Sequence, residues 1–296
     1  MVTVAYAIAA GYLIGALAGY AASRGNRIAA QWRRLIRVQL LCVSAVLSFL
    51  AAWRLPAAAD LIWPAFVTII AIALVGVAYL LTPNSSERVG RAVLRGWSSI
   101  PNPGFWVVPL AAAIAGPVGL IVAVFIDRVM IFFFGFFVWI LRRQAPIKQQ
   151  MRTSWIDQSP LIALLIGLVL NAFTQPPAWT GVVLVWSVPL LAAIGAAMFV
   201  GSVLHPSQQI PWRPGIRVWL LLIAMRIALL VPLVLIAPNA PIAAVLVLCA
   251  FSIPAFYPPQ LSVLYGYADS VVAAASRLGW VFAPVGVLLA LAIMRT

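Results

Sequence analysis

Acidic side chains are almost missing from this chain. Asp60, Glu87, Asp127, Asp157 and Asp269 are the only five among 296 residues, too scattered to form a paired-carboxylate site or an acidic face. His205 is the single histidine, so neither a histidine metal cluster nor a His-based catalytic triad can be assembled in one chain. The two cysteines, Cys42 and Cys249, sit in apolar runs and read as small apolar residues, with no disulfide framework. There is no glycine-rich phosphate loop, no Walker lysine and no nucleic-acid module, so ATP-driven work would need a separate subunit. These absences argue against an enzyme and imply no metal and no organic cofactor.

What the chain has instead is apolar length. Hydrophobic residues make up 65% and charged residues 8%, with a mean hydropathy of +1.10. A soluble protein of this size needs a far more polar shell, so the class is an all-α polytopic membrane protein with the bilayer as its main partner. The apolar runs predict spans near 2–22, 36–53, 61–81, 88–115, 118–141, 160–174, 181–204, 217–236, 240–267 and 271–293. Met1 to Tyr20 has no leading Lys or Arg and outruns a signal peptide's apolar core, so it reads as a first span entering from outside.

The net charge of +14 belongs to topology, not to nucleic acid. With ten spans and an outside N-terminus, fourteen of the 19 Lys and Arg fall in or beside the loops 23–35, 82–99, 142–159 and 205–216. The other side holds only Arg54 and Arg295. The positive-inside rule therefore makes those loops cytoplasmic and leaves both termini outside a cell membrane. Five spans per half give residues 1–141 and 160–296 opposite orientations, an inverted-topology repeat joined by the cytoplasmic linker 142–159.

The fourth span of each half cannot be one continuous helix. Ile100-Pro101-Asn102-Pro103-Gly104-Phe105 interrupts the first, and Ile253-Pro254-Ala255-Phe256-Tyr257-Pro258-Pro259-Gln260 interrupts the second. Proline removes a backbone donor and clashes with the preceding turn, so each cluster leaves polar backbone groups unpaired inside the bilayer. Such breaks persist only where protein or a wet cavity satisfies them. Paired breaks at matching places point to a secondary carrier's binding site, and the two clusters are expected to lie side by side. Each break starts a half-helix, near Phe105 and Leu261, whose first N–H groups favour an anion. Asn102 and Gln260 add amides that bind a carboxylate or merely satisfy the broken backbone.

Three charges lie within spans at mid-membrane depth or close to it. Asp127 and Arg128 fall in the middle of span 5 and Arg226 in the middle of span 8. Each costs about 2.5–3.5 kcal/mol at that depth and so faces the protein interior with a partner. Adjacent helix residues point about 100° apart, which predicts that Asp127 pairs with Arg226 across spans and leaves Arg128 over. The surplus of one positive charge suits an anionic substrate, with Arg128 among its ligands. Asp127, the only deep carboxylate, is the candidate for proton or sodium coupling, unless the pair is purely structural.

Secondary signals are weaker. Gly11, Gly15 and Gly19 share one face of span 1, for a close helix contact or a dimer contact. Phe132 to Phe137 reads as lipid-facing bulk. Arg277 reads as snorkelling to the cytoplasmic surface, and Tyr267 and Asp269 mark either a gate or a loop.

With these residues in view, the chain resembles the auxin efflux carrier family of bacterial and plant membrane transporters. The likeness lies in Pro101-Asn102-Pro103-Gly104-Phe105 with Pro109, in Ala115-Gly116-Pro117-Val118-Gly119-Leu120, and in Phe125-Ile126-Asp127. It continues in Pro258-Pro259-Gln260 and in Tyr265-Gly266-Tyr267-Ala268-Asp269 followed by Ala275-Ser276. Pro103 stands where the family usually has threonine, and Arg128 beside Asp127 is also a departure. The resemblance implies a ten-span carrier with spans 1, 2, 6 and 7 as a scaffold and spans 3–5 and 8–10 as an elevator-type transport domain. It further implies small mono- or dicarboxylate or auxin-like substrates held where spans 4 and 9 cross, around Pro101, Asn102, Pro103, Gly104, Pro259 and Gln260, and a homodimer formed through the scaffold. The competing class is a non-transporting membrane sensor or a channel-like protein, since interrupted helices also line pores.

Overall fold

The computed structural model describes residues 2–24, 34–55, 61–81, 102–144, 158–204, 212–253 and 273–296. These residues are helical apart from short turns, and no strand occurs among them. The chain order is α1 (Val2–Ser23), α2 (Arg34–Trp53), α3 (Ile62–Leu81), α4 (Pro103–Ile114), α5 (Gly116–Gln144) and α6 (Ser159–Phe173). It continues with α7 (Ala178–Trp186), α8 (Val188–Leu204), α9 (Trp212–Leu235), α10 (Ala240–Ala250) and α11 (Ala273–Ile293). Among the described residues, α1, α2, α3 and the run Ala178–Gly201 are long and apolar enough to cross a membrane. Shorter apolar helices include α4, α6 and α10.

Two layers follow from the residue pattern. α5 and α10 each carry a stretch that is apolar and buried on all sides, Leu120 to Ile126 and Ile242 to Ala250. They pack on each other and form the centre, as helices without a polar face must. Around them, α1, α3 and α6 turn large apolar side chains outward, such as Leu13, Ile69 and Leu165.

α1 and α8 make the longest helix contact. Gly11, Gly15 and Gly19 face the backbone carbonyls of Pro189, Ala193 and Ala197 in turn, so the two helices run parallel, backbone against backbone. The four-residue glycine spacing permits that approach because no Cβ stands between them. α2 and α6 form a second parallel pair. Ser159 Oγ donates to the Leu40 carbonyl at one end, and Asn171 Nδ2 donates to the Trp53 carbonyl at 2.7 Å at the other. The ends of α2 and α6 and the start of α7 meet there, where Arg54 Nη1 donates to Thr180 Oγ1 at 2.8 Å.

The helix after the first break is locally irregular for identifiable reasons. Pro103 has no N–H, so Asn102 caps the start by accepting from the Phe105 N–H at 3.4 Å. The first turn is wide, with Val107 N–H reaching back to the Asn102 carbonyl at 3.3 Å. Pro109 supplies no N–H to that turn, and the Phe105 carbonyl in it accepts from the Tyr12 hydroxyl at 2.9 Å. α4 ends at Ala115, and Gly116 turns the chain into α5 with φ +67, a conformation glycine adopts without strain.

The glycine seam yields a stability test. Gly15→Ala drives a Cβ into the Ala193 carbonyl and should cost roughly 2 kcal/mol through forced separation of α1 and α8. Gly76→Ala, where an added Cβ meets nothing within 4 Å, should gain about 0.5 kcal/mol. Thermal melting in detergent checks both; equal effects at the two sites would contradict the seam.

Candidate functional site

The two breaks touch. The Asn102 N–H donates to the Ile253 carbonyl at 3.1 Å and lies 3.3 Å from Ser252 Oγ. Ile253 is the residue immediately before Pro254, so the chain after α10 supplies acceptors to the chain before α4. Each break leaves a backbone group that a continuous helix would have satisfied, and here one break's donor meets the other's acceptor.

A buried arginine completes the second break. Arg226, from α9, donates from Nε to the Ala250 carbonyl at 3.1 Å and from Nη2 to the Ser252 carbonyl at 2.6 Å. These are the carbonyls that α10 leaves unpaired at its end, and the guanidinium also meets the negative end of the helix dipole. The forked donor set of arginine fits two neighbouring carbonyls where an ammonium would serve them less well.

Asp127 lies on the other side of the Asn102 turn. Its carboxylate faces the Gly104 amide without reaching full hydrogen-bond geometry. Arg128 Nη2 stands 2.6 Å from Asp127 Oδ2. The ion pair expected between Asp127 and Arg226 is therefore corrected: Asp127 pairs with Arg128, and Arg226 serves backbone carbonyls. The angular argument holds for the Cα–Cβ directions, but the long arginine stem folds back and spans the offset. Asn102, Asp127, Arg128, Arg226 and Ser252 are all almost fully buried, at 3% exposure or less. Within this cluster, Asn102 Nδ2, Arg128 Nε and both Asp127 oxygens make no hydrogen bond among the described residues.

The remaining sequence-predicted residues fall in three groups. Pro103 and Gly104 are buried in the first turn of α4 beside Asn102. Pro101, Pro259, Gln260, His205, Tyr267 and Asp269 lie outside the described residues, as do the side chains of Phe132 to Phe137 and Arg277. Gly11, Gly15 and Gly19 face α8 within the same chain, which settles the close-contact reading for that face.

Sequence reasoning missed Tyr12, Ser252 and Gly195. Gly195 of α8 is approached so closely by the Phe105 ring that an added Cβ would lie 2.6 Å from it. Tyr12 and Gly195 thus both meet the first turn of α4, one through its carbonyl and one through its ring. The available signal for Ser252 was a hydroxyl at the last residues of an apolar run ahead of a proline.

Comparison with models of known protein families gives no match, and a search among curated proteins finds none either.

The corrected pairing has a measurable consequence. Arg226→Gln should cost about 3 kcal/mol, because two buried carbonyls lose a charged donor. Its effect should add to that of Asp127→Asn within about 0.5 kcal/mol, whereas Arg128→Gln and Asp127→Asn should couple by more than that. A double-mutant cycle on melting measures it; strong coupling between positions 127 and 226 would restore the discarded pair.

Proposed function

We propose that the chain is a secondary active carrier of small organic anions, not an enzyme, with its substrate held where two broken spans cross. In this reading it is a relative of the auxin efflux carriers. Ten spans form two inverted five-span repeats in the cell membrane, with both termini outside. The substrate is a mono- or dicarboxylate or an auxin-like acid, moved by an elevator-type shift of one domain against a scaffold. The scaffold comprises spans 1, 2, 6 and 7, and a homodimer would form through it.

One observation carries the reading: Asn102 and Ser252–Ile253, from breaks 150 residues apart in sequence, meet in a buried polar cluster. That cluster holds two guanidinium groups and one carboxylate, a formal surplus of one positive charge in an apolar surround. A surplus cation buried at broken helix ends favours a small anion.

The helix pairing supports the repeat. α1 with α8 and α2 with α6 correspond to spans 1 and 7 and spans 2 and 6, and exchanging the two halves turns one pair into the other. The parallel sense of both outer pairs fits strict alternation of spans across a bilayer. The scaffold reading draws support from Tyr12 and Gly195, on spans 1 and 7, which meet the mobile side at Phe105.

Reconstitution tests the function. Saturable uptake of labelled malonate, malate or indole-3-acetate into proteoliposomes is expected for at least one acid, under a proton, sodium or voltage gradient. Asn102→Ala should lower kcat/KM at least tenfold, about 1.4 kcal/mol of lost binding. Saturable uptake indifferent to Asn102 would move the site away from the crossing.

A further inference from the structure

The first turn of α4 already has a carboxylate at it, and that carboxylate belongs to the protein. Resting on the carrier reading, we propose that Asp127 is an internal stand-in for the substrate's carboxylate, and that substrate enters by exchanging with it. Asp127 takes up one proton as it yields the Gly104 amide and the Arg128 guanidinium, so each substrate molecule carried is accompanied by one proton.

The argument starts from what a free carboxylate would seek. A guanidinium and an amide at a helix start are its natural partners, and both face Asp127. Asp127 uses them poorly. Its backbone is fixed in α5, so its charge is balanced by Arg128 while neither oxygen gains a hydrogen bond. Asn102 Nδ2 and Arg128 Nε remain as unmatched donors in the same cluster. An incoming carboxylate is free to orient and can accept from Arg128 at Nε and Nη2 together and from Asn102 Nδ2. Of these, the bonds from Nε and Nδ2 are ones that the internal group does not make.

Both carboxylates cannot hold the place as anions. Two like charges at one guanidinium in an apolar surround repel strongly, so the internal one leaves its charge by protonation. The proton comes from the medium and rides on an Asp127 oxygen. Before exchange the buried charges are Asp127 negative with Arg128 and Arg226 positive, a surplus of one. Afterwards Asp127 is neutral and the substrate supplies the negative charge, so the surplus is unchanged for a monocarboxylate. A dicarboxylate would lower it by one and make the step sensitive to membrane potential.

Among the described residues, the other titratable side chain at the first turn of α4 is Tyr12 of α1, whose hydroxyl donates to the Phe105 carbonyl at 2.9 Å. On α5 the neighbour is Arg128, and on α4 the facing groups are the Gly104 amide and Asn102. Arg226 of α9 is committed to the carbonyls of α10, whose one titratable side chain is Cys249, beside Arg226. α1, α2, α3, α6, α8 and α11, which also adjoin α5 or α4, have no charged side chain among their buried described residues.

The experiment compares wild type and Asp127→Asn in proteoliposomes, with protein-free vesicles as blank and indole-3-acetate and malonate as probes. Wild-type uptake of indole-3-acetate should rise several-fold as the external pH falls by about two units and should ignore an imposed potential. Malonate uptake should respond to both. Asp127→Asn should lose the pH response and bind indole-3-acetate roughly tenfold more tightly. A folded Asp127→Asn that keeps the wild-type pH response, or that transports nothing, overturns the proposal. If that variant does not fold, the wild-type data decide, because indole-3-acetate uptake that follows potential and not pH also overturns it. Failure of wild type to take up any acid of the panel would instead remove the carrier reading beneath it.

Discussion

The rest of this structure depends on how the backbone at Asn102, ahead of α4, and at Ser252–Ile253, after α10, is satisfied in an apolar interior. An unpaired carbonyl or N–H buried away from water costs about as much as a lost hydrogen bond. The chain meets that demand by setting the breaks against each other: Asn102 N–H to the Ile253 carbonyl, and Arg226 to the carbonyls of Ala250 and Ser252. It also places polar and charged groups at one point of an otherwise apolar core.

From that point the arrangement spreads outward by packing. α5 and α10 are buried all round over the apolar stretches Leu120–Ile126 and Ile242–Ala250, and Asp127 and Arg128 follow directly on the first. The glycine seam brings α1 against α8 at backbone distance, and from that pair Tyr12 and Gly195 reach the first turn of α4. A shift of the central helices against the outer pairs would have to pass through the Phe105 contact. In the carrier reading this is the sliding surface, and the small residue at position 195 is what lets the ring through.

Much of the helical fold was legible in the chain because apolar length and proline position are strong local signals. The runs predicted at 2–22, 61–81 and 160–174 match Val2–Ser23, Ile62–Leu81 and Ser159–Phe173 to within a residue. Pro101 and Pro103 marked the first break, and the glycine spacing marked a close contact. What sequence did not disclose was partner choice. Asp127 and Arg128 diverge in helical projection, yet the guanidinium stem is long enough to fold back, and no periodicity argument registers side-chain length. Tyr12 and Ser252 were equally hidden, because a single hydroxyl in an apolar run gives no sign of the distant carbonyl or amide it will meet.

The most direct test of the account is whether the two breaks adjoin in the membrane. Asn102→Cys and Ser252→Cys would be combined in a chain with Cys42→Ser and Cys249→Ala, and the pair bridged with mercuric ion in native membranes. Rapid bridging of the double variant is predicted, seen as one mercury ion retained per protein with both thiols blocked, where separate binding would retain two. Two thiols that each bind mercury but never bridge would contradict it, because Asn102 and Ser252 would then not be neighbours.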